Sequence, residues 1–235
     1  MRHFLKKFLS KIRNNILPLE AIDLNRPVSI QKILWDEARH ESANFCRPYL
    51  NGALLFDDED QLRKYVFSKI PKEGIILEFG VYQAHSINLF AQHSKFQDDK
   101  RPLHGFDNFE GLEEEWFGHF SAAEDFNLKG CIPLVEDNVK LHKGWIKDTL
   151  PEFLTLNPER IAFVHIDTDT YTPAKLILEL LNERLVEGSV ILFDEFFGYP
   201  NWQNGEFRAF KELLSNRKIE FIAFGSEQAA IRINE

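Results

Sequence analysis

Two apolar runs that end in clusters of acid limit this chain more than any other feature. Ile161-Ala162-Phe163-Val164-His165-Ile166 leads into Asp167-Thr168-Asp169, and Val190-Ile191-Leu192-Phe193 leads into Asp194-Glu195. Unbroken apolar runs of this length read as strands covered on both faces, the habit of parallel sheets. The stretch between them, 174–185, has helical periodicity and closes at Gly188. Strand, helix and strand in that order predict a βαβ unit of parallel, neighbouring strands. Their carboxyl ends then share one sheet edge, where open α/β sheets take their ligands. Carboxylates gathered there repel each other unless a cation sits among them. Oxygen ligands favour magnesium, calcium or manganese over zinc. The expectation is a metal-dependent α/β enzyme.

The same alternation extends in both directions. Ile75–Phe79, 103–106 and Val139–Lys143 read as strands, with helices near 86–94 and 149–154. Ile219–Phe224 and Ala229–Ile233 face each other across Gly225-Ser226-Glu227 as a closing hairpin. This predicts an α/β fold, a doubly wound and mostly parallel sheet with one antiparallel strand from the C-terminal hairpin. Residues 108–129 are acidic and aromatic and read as a loop or lid. Residues 1–70 read as a helical N-terminal extension, with helices over 30–41 and 60–70, and 71–235 as the sheet domain.

Composition narrows the partners. A net charge of −9 and a pI near 5.4 argue against nucleic acid, because no basic face offsets the acid. Cys46 and Cys131 stand far apart without metal-ligand spacing, so a reducing cytoplasm is the simplest location. No apolar run reaches transmembrane length. Residues 1–17 carry Arg2, Lys6, Lys7, Lys11 and Arg13 and no acid, with Phe4, Leu5, Phe8, Leu9, Ile12 and Ile16 at helical spacing. Such a basic amphipathic helix suits contact with the inner face of a membrane, with a partner, or with a second copy in a homo-oligomer. Packing on its own domain is the plainer reading.

The first strand runs into Glu78-Phe79-Gly80-Val81-Tyr82-Gln83-Ala84-His85-Ser86. A strand-end acid, a glycine and a helix start can hold a nucleotide-type ligand against backbone N–H groups, and can equally be an ordinary turn. The second strand ends in Asp107, placed either to bond ribose hydroxyls or to cap the segment after it. Five blocks, LEFGVYQAHS, HGFDNFEGL, HKGWIKDTLP, VHIDTDTYTPAKLILELL and EGSVILFDEF, occur in the order and near the spacing of one family. The chain resembles the macrocin O-methyltransferases, which are Rossmann-like class I S-adenosylmethionine-dependent sugar O-methyltransferases. The likeness covers residues 72 to about 196 and fades after Phe196.

The resemblance implies roles for particular residues. Glu78, Gly80 and Ser86 fall on the block that cradles the methionine part of S-adenosylmethionine, Asp107 and Asn108 on the ribose site, and Trp145 and Ile146 beside the adenine. Asp167, Asp194 and Glu195 fall on the ligands of a Mg2+ or Mn2+ ion, and Asp169 on a general base. Glu195 stands where an aspartate is usual. Ala84 stands where a glycine is usual, and its methyl group could crowd the cofactor or resist a positive φ. The implied acceptor is a hydroxyl of a sugar-containing small molecule or glycan.

Other residues have plainer explanations. Strand alternation makes His165 a satisfied buried histidine rather than a base. His85 reads as a partly exposed cap, and His104 and His142 as structural. Trp116, Phe117, Tyr199 and Trp202 either line a sugar site or seal the lid. Glu206 and Arg208 read as decoration of a helix rather than acceptor contacts. Asp167-Thr168-Asp169 also resembles the metal motif of nucleotide-sugar glycosyltransferases and the nucleophile motif of haloacid-dehalogenase-like phosphatases. The first leaves the glycine turn and the second acid pair unexplained, and the second lacks its lysine block. A degenerate, non-catalytic partner subunit would have no use for intact metal acids.

Overall fold

In the computed structural model, residues 29–119 and 123–234 are described. The N-terminal amphipathic pattern at 1–17 lies outside them. The described residues from 34 onward form one compact unit, which carries the sheet and the candidate site. No helix among the described residues is long and apolar enough to cross a membrane.

One sheet of eight strands organises this unit. Its strands are β1 Leu54–Leu55, β2 Ile75–Phe79, β3 Leu103–Asp107, β4 Val139–Lys143, β5 Ile161–Ile166, β6 Val190–Phe193, β7 Ile219–Phe224 and β8 Ala229–Ile233, in spatial order β1-β7-β8-β6-β5-β2-β3-β4. Every neighbouring pair is parallel except those made by β8, which runs against both β6 and β7. The expected doubly wound sheet with one antiparallel hairpin strand is the observed one. The short β1 has no counterpart in the sequence expectation. It is only two residues long and both its leucines are exposed, so the short apolar run 53–56 does not distinguish it as a strand.

The helices are α1 Ile30–Cys46, α2 Glu59–Phe67, α3 His85–Phe96, α4 Ile146–Leu156, α5 Tyr171–Leu181 and α6 Glu206–Leu213. Alternation along the strands sends side chains to opposite faces. Ile75, Leu77 and Phe79 join one apolar cluster with Leu150 of α4, Ile177 of α5 and Phe210 of α6. Ile76 joins the other with Val66 of α2 and Phe90 of α3. The sheet is thus covered on both sides, which is why β5 and β6 are apolar without interruption.

Register aligns the strand ends. Phe79 lies opposite both Phe106 and Ile166, and Ile166 lies opposite Phe193. The next residue on each strand is therefore at the same edge: Gly80, Asp107, Asp167 and Asp194. Backbone bonds tie them to their neighbours, Gly80 N–H to Phe106 O at 3.0 Å, and Asp167 N–H to Phe79 O and Asp194 N–H to Ile166 O at 2.9 Å. Strand order reverses at the β2/β5 junction, the place where such sheets open a crevice.

Candidate active site

A cleft of about 870 Å³, its open mouth included, begins at that junction. Gly80, Asp107, Asn108, Trp145, Ile146, Asp167 and Asp169 are among its walls. Gly80 is obligatory: its φ is +85°, and a Cβ there would lie 1.6 Å from the Asp167 carbonyl oxygen. Backbone of β2 and β5 meets so closely that only a glycine fits between.

In the turn after Gly80 the Val81 and Tyr82 N–H groups are engaged by the chain itself. Both donate to Asp107 Oδ2 at 2.8 Å, and Phe109 N–H donates to Oδ1 at 2.6 Å. Asp107 captures them because β3 ends alongside the turn. A carboxylate offers about four lone-pair positions, so one side of Asp107 remains for the cleft it lines. Glu78 and Ser86 are not among the walls of the cleft. Ser86 donates to Glu78 Oε1 at 3.0 Å, and both are buried. Ala84 does hold a positive φ, 65°, but it is fully buried in the apolar cluster of α2 and α3, away from the cleft. The alanine methyl therefore packs in the apolar core and is not among the cleft walls.

The acids of β5 and β6 meet at the cleft floor. After Ile166 the strand stops, and Asp169 has a φ of 63°, so the chain is not extended through Asp169. A tight turn, with Thr170 N–H donating to Thr168 O at 2.6 Å, swings Asp169 back instead. Candidate ligand atoms of Asp167, Asp169 and Glu195 lie within 4.8 Å of one another, and Asp194 groups instead with Asp167 and His165. Both Asp194 oxygens accept from Arg63 Nη2 at 2.9 Å, and Oδ1 is also 3.0 Å from His165 Nε2. His165 Nδ1 lies 3.1 Å from Glu78 Oε2. His165 is thus the satisfied buried residue expected.

Electrostatics separates these carboxylates into two sets. Burial disfavours a charged His165, yet the hydrogen bonds and charges of Asp194 and Glu78 outweigh it and push its pKa up to about 10. Burial also works against Asp194, but His165 and Arg63 together hold it down at about 2. Burial and the other acids push Asp169 up to about 8 and Asp167 and Glu195 well above the carboxylate range. Glu195 Oε2 is buried without a hydrogen-bond partner. Clustered oxygens that resist ionising together, one of them unpartnered, fit a divalent cation by charge and by donor chemistry.

Two residues of this site have no clear signal in the sequence. Arg63 reads as an ordinary helix residue of α2, and Glu206 as a surface one. Glu206 is fully buried, accepting Thr168 N–H at 3.1 Å and Glu195 N–H at 3.4 Å, so it joins the two acid loops.

A second cleft opens beside the first, walled by Glu114, Trp116, Phe117, Tyr171, Tyr199 and Arg208, among others. Asp169 belongs to both clefts. Trp116 and Tyr199 are buried walls, whereas Phe117 is 75% exposed at the rim. Trp202 packs in the core, 4.6 Å from the Phe207 ring centroid. The Arg208 guanidinium stacks 4.0 Å from the Tyr171 ring centroid and pairs with Glu212. His85 is exposed and pairs with Asp60, and His104 bonds to His142 at 3.0 Å within the sheet.

Comparison with known proteins gives a consistent picture. Residues 77–196 match a family described as a methyltransferase domain. The 8-demethyl-8-(2,3-dimethoxy-alpha-L-rhamnosyl)-tetracenomycin-C 4'-O-methyltransferase of Streptomyces olivaceus is 28% identical over 141 residues, 52% of this chain and 53% of that protein. The chain thus spans about half the length of that curated relative. A crystal structure of a calicheamicin methyltransferase superposes with a TM-score of 0.62 at 24% identity, covering 74% of this chain and 78% of that one. The O-methyltransferase NovP gives 0.59 at 16% identity, covering 75% and 80%. At these identities the two structures bear on fold alone.

Proposed function

The chain belongs to the methyltransferase-domain family, and from that premise we propose that it is an S-adenosylmethionine-dependent O-methyltransferase acting on a sugar hydroxyl. The observation that carries this reading is the position of Asp169, the carboxylate shared by two clefts. Methyl transfer needs a donor and an acceptor held on either side of one point, with a group there to take the hydroxyl proton.

The first cleft suits the donor. Trp145, Ile146 and Phe106 offer an apolar wall for adenine, and Asp107 and Asn108 offer polar atoms for ribose. Thr168 Oγ1 is buried in that wall without a partner. S-adenosylmethionine supplies the electrophilic methyl group, and the chain's part is to orient it and exclude water. The second cleft, with its aromatic walls, suits a sugar ring. A relative named for methylating a rhamnosyl group supports that acceptor class. A divalent cation held by the β5 and β6 acids would supply Lewis acidity to a hydroxyl that is otherwise a poor nucleophile. Asp167 and Glu195 have oxygens to give it. Asp194, also expected as a ligand, is engaged by Arg63 and His165.

Asp169→Asn tests the reading. It should leave the calorimetric affinity for S-adenosylmethionine within about threefold. Turnover on a rhamnose-bearing acceptor should fall by roughly 10²–10⁴, the loss typical of a general base. Unaltered turnover would remove Asp169 from the chemistry.

A further inference from the structure

The two sets of acids share Asp167 but differ in what neutralises them. Asp194 is already held by two groups of the chain itself, the Arg63 guanidinium and the His165 imidazole. Arg63 and Asp194 side chains are each 8% exposed, and Nη2 reaches both carboxylate oxygens at 2.9 Å. Arg63 Nη1 also faces Glu59 at 3.2 Å and Asp60 at 3.5 Å on its own helix. Asp167 also lies within 4.8 Å of the His165 and Asp194 ligand atoms, but among the described residues no ion pair engages Asp167, Asp169 or Glu195, and Glu195 Oε2 is buried and unpaired. A dication bound at Asp194 would have to sit beside the Arg63 guanidinium, where like charges repel in a poorly solvated site.

We infer that Arg63 is the standing counter-charge of Asp194, and that Asp169, not Asp194, completes the cation site with Asp167 and Glu195. This rests on the metal-assisted reading above. Arg63 is then a positioning residue. It fixes the carboxyl end of β6 from α2, ahead of the matched stretch 77–196. One Asp169 oxygen serves the cation, and the other faces the acceptor cleft. An aspartate divided in this way ties cation binding to acceptor alignment.

Manganese binding to the full chain, followed by electron paramagnetic resonance without cofactor, tests the assignment. The paired variant Arg63→Gln with Asp194→Asn removes both charges and keeps amides able to bond each other. It should bind manganese within about threefold of the unmutated protein. Asp169→Asn should weaken binding by 30-fold or more. Should the paired variant not fold, Asp169→Asn decides alone: retained affinity there overturns the assignment. Loss of more than 30-fold in a folded paired variant overturns it too. Failure of the unmutated protein to bind millimolar manganese would instead remove the cation reading itself, and this assignment with it.

Discussion

Gly80 and Ala84 stand four residues apart, both at positive φ, and the structure asks opposite things of them. At Gly80 a methyl group would strike the Asp167 carbonyl, so Gly80→Ala must part β2 from β5. We expect a loss on the order of 3 kcal/mol or more in urea denaturation, with weakened cofactor binding. At Ala84 the left-handed conformation costs about 1–2 kcal/mol, which glycine would relieve. Glycine also gives up about 0.8 kcal/mol of methyl burial and adds about 0.5–1 kcal/mol of chain entropy to lose. These offset, so Ala84→Gly should change stability by less than about 1 kcal/mol and leave cofactor affinity unchanged. A large affinity gain would mean the methyl does reach the cleft. The sequence shows the glycine turn and the acids because each is a distinctive residue at a strand end. It does not show what Asp107 bonds to, since that depends on the neighbouring turn arriving within 2.8 Å. Arg63 is invisible for the same reason: its partner is 131 positions away.

Elements covered on both faces declare themselves, and β2, β5 and β6 fall where the apolar runs predict. The loop over 108–129 is the least legible stretch, because its described residues are held by individual contacts to distant residues rather than by a pattern. Glu113 reaches Lys147 at 2.9 Å, and Asn201 donates to Phe117 O at 2.9 Å. The Glu114 carboxylate accepts the Thr172 N–H and hydroxyl, both at 2.8 Å, and so caps α5 from outside. Glu114→Ala should cost about 1 kcal/mol, the usual worth of a cap. By loosening the acceptor wall it should raise the acceptor KM more than it lowers kcat; steady-state kinetics with unaltered KM would separate the loop from the acceptor. The cross-strand pair of β3 and β4 has a pH signature. Burial, then the charges of His142 and Lys140, push His104 down to about 4 from an unfolded value near 6.5. Above 6.5 its contribution is fully present. As pH falls towards 4 the unfolded chain takes up a proton that the folded one refuses, and stability drops. At 1.36 kcal/mol per unit, roughly 3 kcal/mol is the ceiling. Urea unfolding at pH 7 and pH 4.5 should show the drop, and His104→Leu should reduce it. An equal drop in the variant would assign the acid limb to other groups.

Across the whole molecule, reversal of strand order between β2 and β5 and the shared register bring distant acids to one edge. Asp167, Asp169, Asp194, Glu195, Glu206 and Glu78 converge there against Arg63 and His165, in a chain of net charge −9. That excess of negative charge opposes the compact state. A cation binding only the folded form would offset it by mass action, adding about 2.7 kcal/mol at a concentration one hundred times its Kd. For a domain of this size each kilocalorie moves Tm by roughly 2–4 °C. Magnesium at saturation should therefore raise Tm by about 5–10 °C over chelator-treated protein, before any cofactor is added. Potassium chloride at matched ionic strength should not reproduce the shift, because screening acts most on exposed charges and these are buried or half-buried. Equal shifts from both salts would reduce the effect to screening. Coincident melting curves in magnesium and in chelator would leave the acids to be neutralised by protons and Arg63 alone, and the metal-assisted step would have no ion to carry it.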